Sequence, residues 1–253
     1  MPRDRLLTSI QQGRLVVGCA HMIRDEAVTE TLRNVAVDFL LIDMQHMAIG
    51  IESLQRVLVA LQPTDVSVLV RVPWNDPVVI GQVLDVGATG IIVPMVNTYD
   101  DGVAAVAAAL YPPQGRRSWG PRRVNSFHGD PMGYARDANA NCVIIAQIET
   151  QEAVDNLDSI LSVEGLSGLM VGPADLAISM GFMLDRENAV VDSAIESVLS
   201  RSKESGMPCG IFTNNIERAL YWIERGAVIV NCSSDSTFVT EGYNRVARAI
   251  AEA

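Results

Sequence analysis

Eight short apolar runs, each followed by an amphipathic segment, place the strongest constraint on how this chain can fold. The runs are nearly continuous in Val, Ile and Leu, which is typical of parallel strands covered on both faces. They predict strands at residues 15–21, 39–43, 67–72, 90–96, 142–149, 168–171, 208–213 and 227–232. Helical spacing of apolar residues predicts helices at residues 25–34, 50–61, 76–86, 100–110, 151–161, 192–205, 215–225 and 235–251, with a further short helix near 4–11.

Eight strands alternating with eight helices favour a closed (β/α)8 TIM barrel over an open, doubly wound sheet. The chain has 253 residues, 49% of them hydrophobic, which is enough for one large core and is the usual size of such a barrel. No G-x-G-x-x-G motif follows the first run, and no linker or low-complexity segment divides the chain. We therefore predict one α/β barrel domain, residues 1–253, with the short helix near 4–11 plugging the bottom of the barrel.

Charge and cysteine spacing limit the partners and the compartment. Thirty acidic residues against nineteen Lys plus Arg give a net charge of -11, which disfavours nucleic acid and anionic membranes because both need a basic face. The N-terminus lacks the apolar core of a signal peptide, and nowhere do 18 apolar residues follow one another. The cysteines, without any C-x-x-C pair, indicate buried thiols rather than disulfides or zinc. We expect a soluble, cytoplasmic protein.

Two acids at the ends of neighbouring predicted strands indicate a metal site. Glu149 closes the run at 142–149, and Asp175 follows the run at 168–171. If these strands are parallel neighbours, their ends lie only about 5 Å apart, and two carboxylates there can bind one divalent cation. Each acid has an alternative role at a helix start, Glu149 as a cap and Asp175 as an acid of the first turn.

Active sites of this fold are built at the carboxyl ends of the strands, so the polar residues there are candidate site residues. Asp43 and His46 follow the second predicted strand and are candidate catalytic residues. Arg71 ends the third, where a guanidinium in apolar surroundings needs an anionic partner. That partner is either an acid of the chain or a substrate carboxylate, and we favour the substrate. His21 and His128 are interpreted as structural, with His21 also a candidate cavity-lining residue.

Further polar groups of this end of the barrel are suited to a small oxo acid. Gln147 lies two residues before Glu149 and so points to the same side of the strand, where it either packs or binds a ligand. Backbone N–H groups that follow Gly172 and Pro173, beginning with Ala174, can hold a carboxylate or enolate oxygen at a helix start. Beside a metal, these groups predict a site for a 2-oxo acid.

Lysine content limits the chemistry of that site. Aldol reactions of keto acids proceed through a lysine Schiff base or through a metal-stabilised enolate. Lys203 is the only lysine of the chain, and it lies in the polar helical segment SRSKESG, far from any predicted strand end. We therefore expect no Schiff base and no nucleotide cofactor, but a divalent metal.

One segment of about thirty residues, 111–141, breaks the alternation of strands and helices and is expected to be a functional or interface-forming loop. It is rich in Pro, Gly and Arg, and it forms the one basic region of an acidic chain. The loop is solvated, or in contact with another subunit, or it shapes a pocket for an anionic substrate. Its arginines near the start are Arg116, Arg117, Arg122 and Arg123.

Six motifs of this chain together resemble those of a known enzyme family. They are IDMQH, LVRVPWNDP, LDVGATGIIVPMVNT, YPPQGRRSWGPRR, AQIET and VGPADLA. In order and over nearly the whole chain, they are similar to the HpcH/HpaI class II pyruvate aldolases, especially the hydroxyketoacid and 4-hydroxy-2-oxoheptanedioate aldolases. The resemblance implies a (β/α)8 barrel, a homohexamer built as a trimer of dimers with an exchanged C-terminal helix, and Mg²⁺, Mn²⁺ or Co²⁺ as cofactor.

The resemblance also implies roles for the residues that match its motifs. Arg71 would orient the keto acid and its enolate, and Gln147 would hydrogen-bond it. His46, oriented by Asp85, would handle protons. The implied metal ligands are Glu149 and Asp175.

For the aldehyde, the resemblance implies a hydrophobic contact residue at Phe212, which could otherwise be ordinary packing at the rim of the barrel. Ser118 and Trp119 of the basic loop would complete this pocket, from the same or a neighbouring subunit. Where the family commonly has the motif D-x-E-H-G, this sequence has Gln45 in place of the Glu and Met47 in place of the Gly. This departure bears on the aldehyde preference and on the tuning of His46.

The function that these expectations imply is reversible aldol cleavage of a 4-hydroxy-2-oxo acid to pyruvate, or hydroxypyruvate, and an aldehyde. An enzymatic alternative is oxaloacetate decarboxylation, which needs the same enolate. A CoA-thioester lyase of the same superfamily is a further alternative, although the chain shows no separate CoA-binding extension. A non-enzymatic alternative is a barrel that binds an oxo acid as a sensor or assembly subunit; a pyruvate-release assay with and without metal separates it from the enzymes.

Overall fold

The protein is a closed barrel of eight parallel strands surrounded by helices, as predicted. The computed structural model describes residues 5–62, 64, 66–183, 185 and 188–251. Each strand pairs in parallel with its neighbours in chain order, and the last pairs with the first. The strands are β1 (Val16–Ala20), β2 (Phe39–Asp43), β3 (Ser67–Arg71), β4 (Gly90–Val93), β5 (Val143–Ile148), β6 (Gly168–Val171), β7 (Cys209–Thr213) and β8 (Ile229–Ser234).

Helices surround the barrel, and most of them lie where the apolar spacing predicts. In chain order they are α1 (Arg5–Gln11), α2 (Glu26–Thr31), α3 (Ile51–Ala60), α4 (Pro77–Asp85), α5 (Tyr99–Ala109), α6 (Arg122–His128), α7 (Pro131–Asn141), α8 (Gln151–Asp155), α9 (Leu157–Leu161), α10 (Pro173–Ser179), α11 (Ala189–Ser205), α12 (Ile216–Glu224) and α13 (Asp235–Ala251). A 3₁₀ turn, Leu32–Asn34, extends α2. No helix of the described ranges is long and apolar enough to cross a bilayer.

The segment 111–141 is not a long loop, and this expectation was wrong. Most of it forms α6 and α7, whose starts carry local signals that the Pro and Gly content obscured. Asp130 accepts a hydrogen bond from the N–H of Gly133, and Pro131 occupies the first turn of α7, where it needs no donor. Gly129 ends α6 in the left-handed conformation with a φ of 73°.

Two further helix boundaries differ from the expectation. Residues 151–161 form two short helices, α8 and α9, separated at Asn156, whose side-chain amide donates to the Asn97 carbonyl oxygen at 3.0 Å. The helix expected at 192–205 begins earlier, at Ala189, because the side chain of Asn188 accepts a hydrogen bond from the N–H of Val190.

The apolar residues form two cores, one inside the barrel and one between strands and helices. The inner core is closed from below by α1, which inserts Leu6, Leu7 and Ile10, so the predicted plug is present at residues 5–11 while residue 4 lies outside the described residues. Because the bottom is filled and all strands are parallel, the side chains at the carboxyl ends of the strands share one open end, here called the mouth.

Candidate metal and substrate site

Glu149 is a buried carboxylate at the mouth that is held by both of its oxygens. It directly follows β5 and is 1% exposed. Oε1 accepts the backbone N–H of Met95 at 2.7 Å, and Oε2 accepts the side-chain amide of Gln147. Met95 has a φ of 55°, a left-handed conformation uncommon outside glycine. Thr150 caps α8 instead, by accepting the N–H of Ala153 at 3.0 Å, so the cap role of Glu149 is wrong.

Asp175 lies close enough to Glu149 for the two charges to repel. Asp175 is in the first turn of α10, which follows β6, the strand next to β5. Burial raises the pKa of Glu149, and the negative charge of Asp175 raises it further. These effects outweigh the opposing hydrogen bonds from Met95 and Gln147 and the positive charge of Arg71. The site therefore concentrates negative charge in a place from which water is largely excluded.

Gly172 makes room for this arrangement at the turn between β6 and α10. A Cβ atom on this residue would lie 2.8 Å from Oε2 of Glu149 and 3.0 Å from the amide nitrogen of Gln147. Any side chain here would thus displace the Glu149 carboxylate or its amide partner. The turn also presents the first N–H groups of α10, which have no partner within the helix. A role of Gly172, Pro173 and Ala174 in substrate binding stays a prediction.

Arg71 pairs with Asp43 across two neighbouring strands. Its Nε donates to Oδ1 of Asp43 at 3.0 Å and its Nη2 to Oδ2 at 2.5 Å, a two-pronged contact. Burial acts to raise the pKa of Asp43, but the Arg71 contacts and two backbone N–H donors lower it overall. The structure thus pairs Arg71 with an acid of the chain, the alternative that we did not favour, and a role of Arg71 in substrate binding stays a prediction. The guanidinium carbon also lies 5.4 Å from the centre of the Phe212 ring, on the opposite strand β7.

His46 lies on the exposed connection after β2, at the mouth. Its backbone N–H donates to Oδ1 of Asp43 at 3.3 Å, so the position of this connection depends on the carboxylate that also holds Arg71. Asp85 is not beside it. Asp85 ends α4, at the end of the barrel away from the mouth, and accepts a hydrogen bond from Nη2 of Arg117 at 2.6 Å. An Asp85 that orients His46 would have to come from a second copy of the chain.

Trp119 also lies away from the mouth of its own barrel. It follows α5 and packs against Tyr111 and Tyr134, with ring centres 5.3 and 6.1 Å apart. Within one chain it does not complete an aldehyde pocket, and a contribution to a neighbouring copy stays a prediction. Beside it, Arg117 is buried against Asp85 and over the Tyr111 ring, so this part of the basic segment is neither solvated nor free for an anion.

His21 is structural, as expected, since both ring nitrogens have partners. Nδ1 lies 2.6 Å from Oδ2 of Asp235 and Nε2 lies 2.8 Å from the hydroxyl of Thr29. Asp235 also accepts the N–H groups of Met22 and Ile23. Burial acts to raise the pKa of Asp235, but these hydrogen bonds lower it overall. Sequence reasoning missed this network because an acid that begins a helix is easily explained as a cap.

The donor set fits a divalent cation of the Mg²⁺ type. Such ions are often held by one or two carboxylates and keep other positions for water or substrate oxygens. Glu149 and Asp175 supply two carboxylates, and Oε1 of Gln147 is buried beside them without a hydrogen-bond partner among the described residues. A fully protein-built cage is absent from the described part of the chain, which holds no group of three or more His, Cys, Asp or Glu suited to a metal.

Replacing Gly172 by alanine should weaken cation binding, because the new methyl group would push against the Glu149 carboxylate. We expect the Mn²⁺ affinity to fall at least about tenfold, the usual effect of disturbing groups around metal ligands. Isothermal titration calorimetry with Mn²⁺ measures it. Gly50→Ala is the matched control, since a Cβ atom there meets nothing within 4 Å. Equal affinities for the two variants would contradict the placement of the metal at Glu149.

Comparison with known proteins identifies relatives over almost the whole chain. The family model of the HpcH/HpaI aldolase/citrate lyase family matches residues 22–241. The 5-keto-4-deoxy-D-glucarate aldolase of Citrobacter koseri is 35% identical over 232 residues, covering 92% of this chain and 90% of the relative. The 4-hydroxy-2-oxo-heptane-1,7-dioate aldolase of Salmonella arizonae is 36% identical over 241 residues, covering 94% of this chain and 91% of the relative.

Solved structures show the same architecture. A crystal structure of an HpcH/HpaI aldolase/citrate lyase family protein from Burkholderia cenocepacia superposes with a TM-score of 0.93 at 27% identity, covering 98% of this chain and 99% of that one. An HpcH/HpaI aldolase from Desulfitobacterium hafniense superposes with a TM-score of 0.89 at 28% identity, covering 98% and 97%. With its barrel and most of its length matched, this chain belongs to the HpcH/HpaI aldolase/citrate lyase family.

Proposed function

We propose that this protein is a divalent-metal-dependent lyase that cleaves 4-hydroxy-2-oxo acids reversibly to pyruvate, or hydroxypyruvate, and an aldehyde. The observation that carries the proposal is the pair of acids, Glu149 and Asp175, which lie at the mouth near enough to Arg71 and to each other for their charges to interact. Relatives at 35% and 36% identity that are named as aldolases support it. One of them is named for a 4-hydroxy-2-oxo diacid, which contains the same reacting unit.

Glu149 and Asp175 would hold the cation, Mg²⁺, Mn²⁺ or Co²⁺. When bound, such an ion supplies positive charge that stabilises the negative charge developing on the oxo acid. Gln147 keeps the Glu149 carboxylate in place through its amide. Because the pKa of Glu149 is raised and a ligand must be ionised, cation affinity should fall as the pH is lowered toward that pKa.

Arg71 would orient the carboxylate or enolate oxygen of the oxo acid. Asp43 accepts hydrogen bonds from Nε and Nη2 of Arg71 and thereby fixes the plane of the guanidinium. Because the side chain is already ordered, it loses little conformational entropy when it binds a ligand. The side chain reaches across the mouth toward Phe212 and carries its charge near Glu149. The N–H of Ala174, at the start of α10, would bind an oxygen from the other side.

His46 would move protons between the substrate and solvent, because the residue is exposed and follows β2 at the mouth. In cleavage, the C4 hydroxyl loses its proton to the base and the C3–C4 bond breaks. The electron pair of that bond remains with the pyruvate enolate, which takes a proton at C3 to give pyruvate. In the reverse direction, the enolate attacks the aldehyde carbon and the new alkoxide receives the proton.

The aldehyde would lie against Phe212, on the side of the mouth formed by β7. Phe212 is partly buried, packs against the inner core, and lies under the guanidinium of Arg71. Ser118 and Trp119 would approach this side only from a neighbouring copy of the chain.

A homohexamer built as a trimer of dimers is the proposed assembly, with α13 exchanged between copies. The 17 residues of α13 include one buried residue, Asp235, while its apolar side chains are exposed. An exposed apolar stripe of this kind usually marks a protein contact. Its members are Phe238, Val239, Tyr243, Val246 and Ile250. The cytoplasmic location stays a prediction.

Chelation tests the metal mechanism. EDTA should abolish pyruvate release, and Mn²⁺ or Mg²⁺ should restore it. Borohydride with pyruvate should leave the mass of the chain unchanged, because Lys203, the only lysine, lies at the end of α11, away from the mouth. Turnover is followed with a coupled pyruvate assay and the adduct by mass spectrometry. A reduced adduct on Lys203 would refute the mechanism.

Arg71→Lys should lose at least about 2 kcal/mol of transition-state stabilisation, on the order of thirtyfold in kcat/KM, because an ammonium cannot form the two-pronged contact. The measurement is steady-state kinetics of cleavage on a folded variant. Arg56→Lys is the control, since Arg56 makes an exposed ion pair with Glu26. Near-normal kcat/KM in Arg71→Lys would assign Arg71 a structural role alone.

Phe212→Val should change the preference among aldehydes of different size, because it removes bulk rather than charge at the mouth. We expect kcat/KM for a long aldehyde to rise relative to a short one. Deuterium exchange into the pyruvate methyl group, which reports enolate formation, should remain nearly normal. Equal losses for both aldehydes would mean that Phe212 only supports the barrel.

A further inference from the structure

Asn231 is a buried polar residue of β8 whose side-chain oxygen has no partner in the described part of the fold. The residue is 5% exposed, and its side-chain Oδ1 is buried without a hydrogen-bond partner in the described ranges of the chain. Buried amides are almost always paired, because an unpaired polar group loses its hydration and gains nothing in exchange. An apolar residue of similar size would suit the barrel better. The amide therefore suggests a partner that is not part of the chain.

The strand register shows that Asn231 points into the barrel. It is paired with Phe212 on β7 and with Gly18 on β1, and paired residues of parallel strands face the same side. Phe212 packs against the inner core, and a Cβ atom on Gly18 would meet the ring of Phe39, which belongs to the same core. Both neighbours of Asn231 thus face the interior.

Asn231 also lies where the apolar interior ends and the mouth begins. Two residues earlier on the same face of β8, Ile229 is fully buried in the inner core. At the level of Asn231 the neighbouring strand β7 presents Phe212, which is only partly buried. A ligand in the mouth that touches Phe212 is therefore next to this amide. Glu149 directly follows β5 and Asp175 lies in α10, so neither of the two acids is carried by β8.

We propose that the Asn231 carboxamide binds a hydroxyl group on the aldehyde portion of the substrate and so selects hydroxylated aldehydes. A carboxamide donates and accepts hydrogen bonds, as does a hydroxyl, and the two are complementary. The aldehyde portion is assigned because Phe212, the neighbour of Asn231, forms its side of the mouth. This inference rests on the proposed aldolase function and adds to it the chemical class of the aldehyde.

The test compares two aldehydes that differ by a hydroxyl in place of a methyl group, glycolaldehyde and propanal, with pyruvate as the other substrate. Wild-type protein loaded with Mn²⁺ should prefer glycolaldehyde. In Asn231→Leu, which keeps the size of the side chain, the ratio of kcat/KM for glycolaldehyde to that for propanal should fall at least about tenfold. Asn231→Ala should shift the ratio in the same direction.

A matched control is Cys232→Ala, the next residue of β8, which packs against the outer core and should leave the ratio as it is. Thermal unfolding adds a second readout. Asn231→Leu should melt no lower than the wild type, because no hydrogen bond of the described protein is lost from the buried oxygen. A drop in melting temperature with an unchanged ratio would assign Asn231 to the fold.

The outcomes separate this inference from the function on which it rests. If the wild type exchanges the pyruvate methyl protons in a metal-dependent way but both Asn231 variants keep the wild-type ratio within about twofold, the inference fails and the aldolase function stands. The Asn231 variants are also assayed with hydroxypyruvate in place of pyruvate. If they change the kcat/KM ratio of hydroxypyruvate to pyruvate but not that of glycolaldehyde to propanal, the assignment to the aldehyde is overturned. If the wild type shows neither exchange nor condensation with Mn²⁺, both are overturned.

Discussion

The burial of the Glu149 carboxylate at the mouth, near a second carboxylate, is the constraint on which the rest of the site depends. Burial of Glu149 and the negative charge of Asp175 both disfavour the ionised carboxylate and raise its pKa. A packed barrel would avoid such an arrangement unless something else occupied the site. Two features of the surrounding backbone accommodate the Glu149 carboxylate. Met95, in a left-handed backbone conformation, donates its N–H to it, and Gly172 leaves room for it.

Arg71 and Asp43 form a pair of opposite charges at the ends of β3 and β2. Their pair is nearly neutral as a unit, so it can be partly buried without the full desolvation cost of a single charge. Asp43 in turn accepts the N–H groups of Gln45 and His46, which couples the connection after β2 to the arginine. One carboxylate thus positions both a candidate anion-binding group and a candidate proton carrier.

The sequence predicts most of the barrel because a strand covered on both faces must be apolar throughout. The same reasoning selects Glu149 and Asp175 as candidates, since Glu149 closes one apolar run and Asp175 lies in the turn region after the next. It does not find α6 and α7, whose apolar spacing is weak. Contacts between distant residues, such as Asp85 with Arg117, leave no local pattern. Asn231 is hidden for another reason: one amide within an apolar run looks like ordinary variation until the register shows which way it points.

Helix α13 is held to the barrel at its first turn, while its remaining turns are exposed in the described structure. Asp235 is its one buried residue, and its carboxylate binds His21 and the backbone after β1. These hydrogen bonds hold the helix of 17 residues at its first turn. The remaining turns are exposed and carry apolar side chains. The Asp235 carboxylate therefore couples the exposed part of α13 to the backbone after β1, and a displacement of the helix would act on the rim of the mouth there.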